Sequence, residues 1–481
     1  MNGRQETSTR FRRPAVICMA AATVIGLGGC DSLLDVEVPG AVTADDLFQP
    51  ASAPILVSSL VADFECSFSM MSAAMSGGED ATWKTSGWWG DSTEHQTIRP
   101  GGGSCTANSD VTTSWFQGFQ KSRFLAETAH GYLSEWTDAQ VANRQQLLAV
   151  AAAYAGMYYT LMGERYCEFV RDSGPALTPS DMLREAEVWF TQSVDHGDHS
   201  YVTTPSTRQL ALLGRARVRL ALNDLTGAAA DAAEIQPGFQ AVVTRDGSVR
   251  PRWNAVYQAF NVTLFRTVAG PVWWLGHEPD QLVSVGYYDL TIADDGRQTV
   301  GDGMPDPRVP VEFSGQFGQD GVTDQYNQLK YTDLGAPQAI AKWAEAQLIL
   351  AEIEGGQGAV ARINALRDVH GLPHFSSNDE EEIFSAIVEE RRREFFFEGR
   401  HWADKLRYGL WFPRGQGWNH KLVRYGFGYC LLPPEGAYEL NPDITTGYEG
   451  PDTSDPNYVF ELQIDQPLEL GTNWPVPLTL N

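Results

Sequence analysis

The stretch EERRREFFFEGRHWADKLRYG, residues 389–409, decides the fold of this chain. Its three consecutive phenylalanines cover most of the circumference of a helix, so this helix end is predicted to be buried on several sides. The charged residues among them must then be paired, because burying an unpaired charge is costly. Glu389 with Arg393, and Arg391 with Glu394, have the spacing of local pairs on one helix. The remaining charges are expected to bridge to neighbouring helices.

The residues before this stretch predict one helix over residues 379–398. Asn378 is the expected N-cap, and three glutamates follow it in the first turn. Three arginines lie towards the end, which is the order that complements a helix dipole. Gly399 is expected to end the helix in the left-handed conformation.

Helical spacing recurs on the N-terminal side of this helix. Thr178 is the expected N-cap of one of these helices, with a proline in the first turn. The pair at 206–222 and 226–235 is rich in alanine and glycine, as in tetratricopeptide-type repeats, where small residues let paired helices approach closely. The other predicted helical ranges are 51–75, 145–168, 185–196, 339–353 and 359–369.

Two blocks of the chain are irregular and aromatic. Residues 76–109 are rich in glycine, serine and threonine, and residues 237–337 combine tryptophan and tyrosine with many glycines, aspartates and prolines. Long loops inside a compact protein are typically functional or disordered, and the tryptophan content argues against disorder. These blocks therefore predict loops and short strands that carry the site.

The N-terminal residues have the order of an export signal. Four arginines precede a short apolar run, which ends in Leu-Gly-Gly-Cys at Cys30. The run is too short to span a bilayer comfortably, and no second long apolar segment is expected to cross one. Leu-Gly-Gly-Cys resembles a bacterial lipobox, which implies removal of residues 1–29 and acylation of Cys30 as a membrane anchor.

Charge and cysteine content narrow the function classes. The net charge of −26 argues against a nucleic-acid partner, since both surfaces would be negative. Cys66, Cys105, Cys167 and Cys430 lie in the expected exported part of the chain, where three pairings into two disulfides are equally open. None has the close spacing of a zinc site, so they are predicted to be structural.

Several stretches together resemble the SusD/RagB family. Residues 389–409 are similar to its long C-terminal signature, and the matching positions there are Glu390, Arg391, Arg392, Glu394, Phe397, Glu398, Gly399, Trp402 and Asp404. Shorter matches are CDSLLDV at 30–36, DPR at 306–308, AEAQLILAE at 344–352, INALR at 363–367, GLP at 371–373, LLPPE at 431–435 and NP at 441–442. The C-terminal segment departs from the family pattern, since an acidic, proline-rich tail replaces the usual ending. The aromatic blocks match in position and character only, so the family's ligand identity does not carry over.

The resemblance implies a mainly α fold, in which four tetratricopeptide-type helix pairs form a scaffold and a loop-rich subregion binds ligand. It also implies a surface-exposed outer-membrane lipoprotein that captures oligosaccharides or peptides. Such a protein delivers its ligand to a TonB-dependent, SusC-like barrel, and it is neither an enzyme nor dependent on a cofactor. The expected organisation is signal peptide 1–29, anchor and tether 30–50, helical part 51–236 with aromatic loop 76–109, loop-rich insertion 237–337, C-terminal helical part 338–442 and acidic tail 443–481.

Aromatic side chains in the two blocks are the predicted ligand contacts. A sugar ring offers a flat apolar face and a rim of hydroxyls, which aromatic rings and short polar side chains bind together. Packing of the loops onto the helices is the alternative role of each tryptophan. The candidates are Trp83, Trp88 and Trp89 with Asp91, Glu94 and His95 in the first block, and Trp273 and Trp274 as an opposite wall.

Other functions have weaker support in the sequence. His196 and His199 have the spacing of two metal ligands but no third, and the aspartates from 294 to 306 lack a regular calcium-loop spacing. Glu394 and Glu398 are the carboxylates that a glycoside hydrolase would use, and a structural ion-pair network is preferred for them. A scaffold that binds only protein partners remains the other alternative.

Overall fold

The computed structural model describes residues 44–76, 79, 81–85, 105, 115–166, 169–172, 174–268 and 286–408, together with the strands at 411–414 and 424–427. The chain divides into two compact units, residues 1–44 and 45–481. Apart from Ala44, every described residue belongs to the second unit, which is predominantly helical.

Helices supply the scaffold. In chain order they are α1 Ala44–Leu47, α2 Ala53–Met75, α3 Trp115–Glu135, α4 Arg144–Gly163, α5 Pro179–Asp195, α6 Thr207–Ala221, α7 Leu225–Ala233, α8 Ala255–Tyr257, α9 Trp343–Glu354, α10 Gly356–His370, α11 Glu380–Glu394 and α12 His401–Arg407. Short 3₁₀ turns at Pro50–Ser52 and Arg250–Arg252 and a π-helical turn at Gln258–Val262 complete the described helical segments.

The strands are short and form small antiparallel sheets. They are β1 Thr82–Lys84, β2 Phe169–Val170, β3 Ala176–Leu177, β4 Gln240–Val243, β5 Arg266–Val268, β6 Leu290–Ile292, β7 Gln298–Val300, β8 Met304–Pro305, β9 Val311–Phe317, β10 Asp324–Gln328, β11 Gln338–Lys342, β12 Trp411–Arg414 and β13 Arg424–Phe427. The pairs are β1–β5, β2–β3, β4–β11, β9–β10 and β12–β13, and β6 lies between β7 and β8. Most of these strands fall in the predicted loop-rich insertion.

The scaffold is built from helix pairs that pack in sequence order. The pairs α2/α3, α4/α5, α6/α7 and α9/α10 each pack together, which confirms the predicted mainly α scaffold. Phe190 of α5 shows why small residues are needed here. A Cβ placed at Gly156 would lie 2.7 Å from its ring, and one at Gly214 would lie 2.3 Å from it. The ring therefore occupies the space that two glycines leave on the neighbouring helices α4 and α6.

Local capping rules hold at several helix starts. The Thr178 hydroxyl accepts a hydrogen bond from the Asp181 amide, and the Asp181 carboxylate accepts one from the Thr178 amide, so a complete capping box starts α5. Ser206 caps α6 through the Gln209 amide. The predicted cap Asn378 is wrong by one residue, because the Asp379 carboxylate accepts from the amides of the second and third helical residues.

Two helix boundaries also differ from the prediction. The predicted helix over 339–353 begins instead as strand β11, because its first residues pair with β4 and are buried there. Helix α11 ends at Glu394 and a turn follows, so the predicted helix over 379–398 is four residues too long. Gly399 does have the predicted left-handed backbone, with φ of 66°, and Phe397 in the same turn has φ of 55°.

One apolar helical stretch, Pro50–Met75, meets the length and hydropathy of a membrane span, which the sequence interpretation overlooked. Two thirds of its apolar window (67%) are buried inside the fold, so it is a core helix. Cys66 of this helix is disulfide-bonded to Cys105, which selects one bridge among the pairings left open by the sequence. Cys167 and Cys430 lie outside the described residues.

Candidate ligand-binding surface

A row of short strands joins the two aromatic blocks. Strand β1 pairs with β5 so that Trp83 lies opposite Thr267. The buried Thr267 hydroxyl donates to the Asp324 carbonyl oxygen at 2.9 Å and accepts from the Tyr326 amide at 2.7 Å. Strand β10 therefore lies beside β5, and the first block contacts the second through backbone and threonine hydrogen bonds.

The tip of the β9–β10 hairpin closes onto the first block. A Cβ at Gly318 would lie 2.4 Å from the Thr85 methyl group, so only glycine allows this approach. The Asp320 carboxylate accepts from the amides of Val322 and Thr323 at 3.0 and 2.9 Å, which holds the loop in shape. The hairpin is thus anchored at its tip by contact with residue 85.

Three aromatic rings form what we call the aromatic surface: Tyr288, Phe313 and Tyr326. The ring centroids of Tyr288 and Tyr326 are 4.4 Å apart, and those of Phe313 and Tyr326 are 5.3 Å apart. Phe313 lies opposite Tyr326 in the β9–β10 register and is 50% exposed. Rings held this close to one another offer a pre-arranged apolar face at little entropic cost to a ligand.

Polar groups border these rings. Asp324 is half-buried two residues before Tyr326 on the same strand and is close enough to act on its pKa. Burial, with smaller contributions from Tyr288 and Asp324, raises the pKa of Tyr326, so its phenol keeps its proton and can donate a hydrogen bond. An apolar face with hydroxyl and carboxylate groups at its edge is a combination that suits a sugar ring.

Most of the predicted ligand contacts lie outside the described residues: Trp88, Trp89, Asp91, Glu94, His95, Trp273 and Trp274, as does the predicted acylation site Cys30. Trp83 is placed by its backbone in β1, within the row of strands beside the aromatic surface. The prediction that these residues bind ligand stays a prediction. Sequence reasoning missed Phe313 and Tyr326, although aromatic residues recurring at even spacing in VEFSGQF were a usable signal of an exposed strand face.

The signature residues form a buried network of ion pairs. Glu390 is fully buried and accepts from Arg367 at 2.6 and 2.9 Å, from Gln298 at 2.9 Å and from Arg308. Arg308 also pairs with Asp306 at 2.7 Å, so the DPR stretch is joined to the signature helix. Three side chains therefore make four hydrogen bonds to one carboxylate and fix α10, α11 and the loop-rich part to one another.

Local and long-range pairs both occur in this network. The predicted pair Glu389–Arg393 is confirmed at 2.7 Å. Burial raises the pKa of Glu389, but Arg392 and Arg393 outweigh it and lower that pKa to about 2. The predicted pair Arg391–Glu394 is wrong, because Arg391 bonds Asp404 of α12 at 2.7 Å instead.

Glu394 and Glu398, the carboxylates considered for catalysis, are both buried and share a lysine. Lys342 lies 3.0 Å from Glu394 and 2.8 Å from Glu398, and Lys330 lies 2.7 Å from Glu398. Burial raises the pKa of Glu394, but Lys342, His370 and Arg308 hold it well below its usual range. Its permanently ionised, ion-paired state fits a structural role and not that of a proton donor.

The turn after α11 packs the signature into the core. Phe396 stacks on Tyr287 with centroids 4.8 Å apart, and Phe397 contacts Phe260 edge-on at 4.7 Å. Trp402 is buried, and its amide donates to Glu79 at 3.2 Å. This last contact joins the signature to the start of the first aromatic block.

The residues weighed as metal ligands have other partners. His199 Nε2 bonds the backbone oxygen of His196 at 2.9 Å, while His196 Nε2 faces His130 Nε2 at 3.3 Å. Asp306 accepts from Arg308, and Asp295 pairs with Arg297. Within the described part of the chain, no group of three His, Cys, Asp or Glu side chains has the arrangement of a metal site.

Comparison with known proteins gives a family match over part of the chain and one fold. The model of the SusD family matches residues 342–465. A SusD superfamily protein from Bacteroides fragilis is 14% identical, with a TM-score of 0.56 over 82% of this chain and 99% of its own. A SusD-like carbohydrate binding protein from Bacteroides vulgatus is 14% identical, with a TM-score of 0.54 over 83% of this chain and 95% of its own.

A third similar structure was solved with a xylogluco-oligosaccharide. It is 12% identical to this chain, with a TM-score of 0.51 over 82% of this chain and 98% of its own. No curated protein matches the chain in sequence. These similarities show the fold.

Proposed function

We propose that the chain is a member of the SusD/RagB family, whose model matches residues 342–465, and that it binds oligosaccharides at the aromatic surface. The single observation that carries the proposal is the group of three adjoining rings Tyr288, Phe313 and Tyr326, bordered by polar side chains. Stacking on such rings holds the C–H face of a sugar, and the polar border selects among hydroxyl patterns.

The surface extends, in this proposal, to the tryptophans of both blocks. Strand β1 carries Trp83 into the same row of strands, and the stretches that hold Trp88, Trp89, Trp273 and Trp274 adjoin β1 and β5 in the chain. Several rings in one surface suit an oligomer with several sugar units. Peptides remain the alternative ligand class.

Related structures support an oligosaccharide as the ligand. One similar protein is described as a SusD-like carbohydrate binding protein, and another was solved with a xylogluco-oligosaccharide. The net charge of −26 favours a neutral or cationic ligand over a polyanion, since repulsion slows the approach of like charge.

The proposed cellular role rests on the family resemblance and on the predicted lipobox. The chain would be acylated at Cys30, held at the outer membrane and exposed at the cell surface. There it would pass its ligand to a TonB-dependent, SusC-like barrel. The protein would act by binding alone, since the signature carboxylates are occupied by ion pairs.

The test is a binding measurement with a matched control. Calorimetric titration of the purified protein with a panel of neutral oligosaccharides, including xylogluco-oligosaccharides, and of peptides would identify the ligand class. Phe313→Ala removes an exposed ring of the aromatic surface, and Phe124→Ala removes an equally exposed ring from α3 (50% and 51% exposed). We expect about a fivefold or larger rise in Kd for the first variant, as a stacked ring contributes about 1 kcal/mol or more, and no change for the second.

The other outcomes decide between the remaining functions. Binding that survives Phe313→Ala and Tyr326→Ala but is lost in the triple variant of Trp83, Trp88 and Trp89 would move the site to the first block. Release of shortened sugars would indicate a hydrolase. Co-purification with a barrel in the absence of any binding to glycans or peptides would favour a protein-binding scaffold.

A further inference from the structure

A small cavity lies where the helix pairs meet the signature. Its volume is about 20 Å³, which is enough for one water-sized or chloride-sized ligand. Its walls come from α5, α6, α9, α11 and α12, so the cavity joins the N-terminal helices to the C-terminal signature. Arginines provide much of its lining: Arg217, Arg391, Arg400 and Arg407.

Three buried guanidinium nitrogens of these arginines have no acceptor among the described residues: Arg217 Nη1, Arg391 Nη1 and Arg400 Nε. All three side chains are at least nine-tenths buried, at 5%, 4% and 5% exposed. Their other guanidinium nitrogens are engaged, chiefly by Glu345 and Asp404. Leaving buried donors unpaired is costly, so a partner in the cavity they border is expected.

The charge around the cavity is positive by one. Four arginines line it against three carboxylates, those of Glu164, Glu345 and Asp404. The ion-pair partners just outside the cavity leave this net charge unchanged. Arg165, which pairs with Glu164, adds one positive charge, and Glu352, which pairs with Arg407, adds one negative charge. A buried surplus of one positive charge calls for one negative charge close to it.

An anion satisfies these conditions better than water does. A water molecule has two lone pairs and needs acceptors for its own two hydrogens, whereas three donors require a group that accepts three hydrogen bonds. A halide accepts hydrogen bonds from all sides and cancels the surplus charge. A carboxylate or phosphate ligand exceeds a cavity of this size.

We propose that this cavity binds one small monovalent anion, chloride under ordinary conditions, through one N–H from each of the three nitrogens Arg217 Nη1, Arg391 Nη1 and Arg400 Nε. The anion would connect α6 to the signature region and stabilise the contact between the two halves of the scaffold. This site is separate from the proposed sugar surface and does not depend on it.

Crystals of the protein grown in bromide test the proposal directly. An anomalous difference peak within hydrogen-bonding distance of Arg217, Arg391 and Arg400 is expected. Electron density of a water molecule there, without any anomalous signal, would overturn the proposal.

A stability measurement in solution provides a second test. At constant ionic strength, replacing gluconate by chloride is expected to raise Tm by on the order of 1–2 °C when chloride reaches ten times its Kd. Ala403→Val narrows the cavity and is expected to abolish this rise. The matched variant Ala359→Val, in a separate hydrophobic cluster under α10, is expected to retain it.

The variants also make this second test conclusive. The same chloride effect in wild type and in both variants would mean a general salt effect and would refute the site. If Ala403→Val fails to fold, the bromide experiment on the wild-type protein decides alone.

Discussion

Replacing Glu79 by glutamine is expected to stabilise the protein in a pH-dependent manner. Glu79 follows α2, is 1% exposed, and accepts a hydrogen bond from the Trp402 amide at 3.2 Å. Burial raises its pKa from 4.5 to about 7, against the smaller lowering effects of Arg165, the Trp402 amide and Lys405. The carboxylate is therefore costly to ionise where it lies.

The direction of the effect follows from this raised pKa. Because the folded protein binds the Glu79 proton more tightly than the unfolded chain, the stability of the wild type is highest below pH 4.5. It falls as pH rises through the window between 4.5 and about 7, and the loss is complete above that window. A pKa raised from 4.5 to about 7 corresponds to about 3 kcal/mol at pH 8.

Glutamine keeps the oxygen that accepts from Trp402 and cannot ionise. The free energy of unfolding of Glu79→Gln should therefore equal that of the wild type near pH 4.5 and exceed it by about 3 kcal/mol at pH 8. Urea unfolding followed by tryptophan fluorescence at several pH values measures this difference. The exposed Glu135→Gln controls for the change in net charge and should show no such trend.

A difference between Glu79→Gln and wild type that is flat between pH 4.5 and 8 would refute the reasoning. A variant less stable than wild type at pH 8 would show that Arg165 and Lys405 stabilise the ionised carboxylate by more than burial costs. The flat result would mean that this part of the first block is more open to solvent than its contacts indicate.

Three further substitutions test the scaffold, each by urea unfolding at neutral pH. Glu390→Gln should lower the free energy of unfolding by about 3–5 kcal/mol, since it leaves two buried arginines short of a charge partner. A loss below about 1 kcal/mol would contradict the ion-pair network. Asp379→Ala should cost about 1 kcal/mol and Asn378→Ala less than about 0.5 kcal/mol, and the reverse order would contradict the observed cap. Gly214→Ala should cost about 1–3 kcal/mol, because its Cβ would overlap the Phe190 ring, and a neutral effect would mean that the ring moves aside freely.

Helix pairs and local capping were predictable because they depend on neighbours in the chain. Small residues at 206–235 indicated a close helix pair, and α6 and α7 form it. Thr178 could be identified as a cap since its partner lies three residues away. The pair Glu389–Arg393 was predictable for the same reason, as both side chains lie on one helix face.

Interactions between distant elements were not predictable in this way. Arg391 has Glu394 at the right spacing, yet it bonds Asp404, because the turn at Gly399 returns the chain and brings α12 beside α11. Residues 338–342 have helical composition but form β11, since pairing with β4 buries them. A rule based on neighbouring residues cannot account for a strand partner that lies far away in the sequence, as β4 does from β11.

The same distinction between local and long-range interactions applies to the ligand surface. The sequence by itself determined the family resemblance of the signature, the mainly α scaffold and the two aromatic blocks, since composition, spacing and the signature are properties of the chain. Only the tertiary structure decided which rings adjoin, because Phe313 and Tyr326 meet through the pairing of β9 with β10, the buried Thr267 hydroxyl holds Tyr326, and Tyr288 packs on Tyr326 from a distant part of the chain. Sites of this kind arise where chain segments far apart in sequence pack together, so their geometry depends on the whole fold.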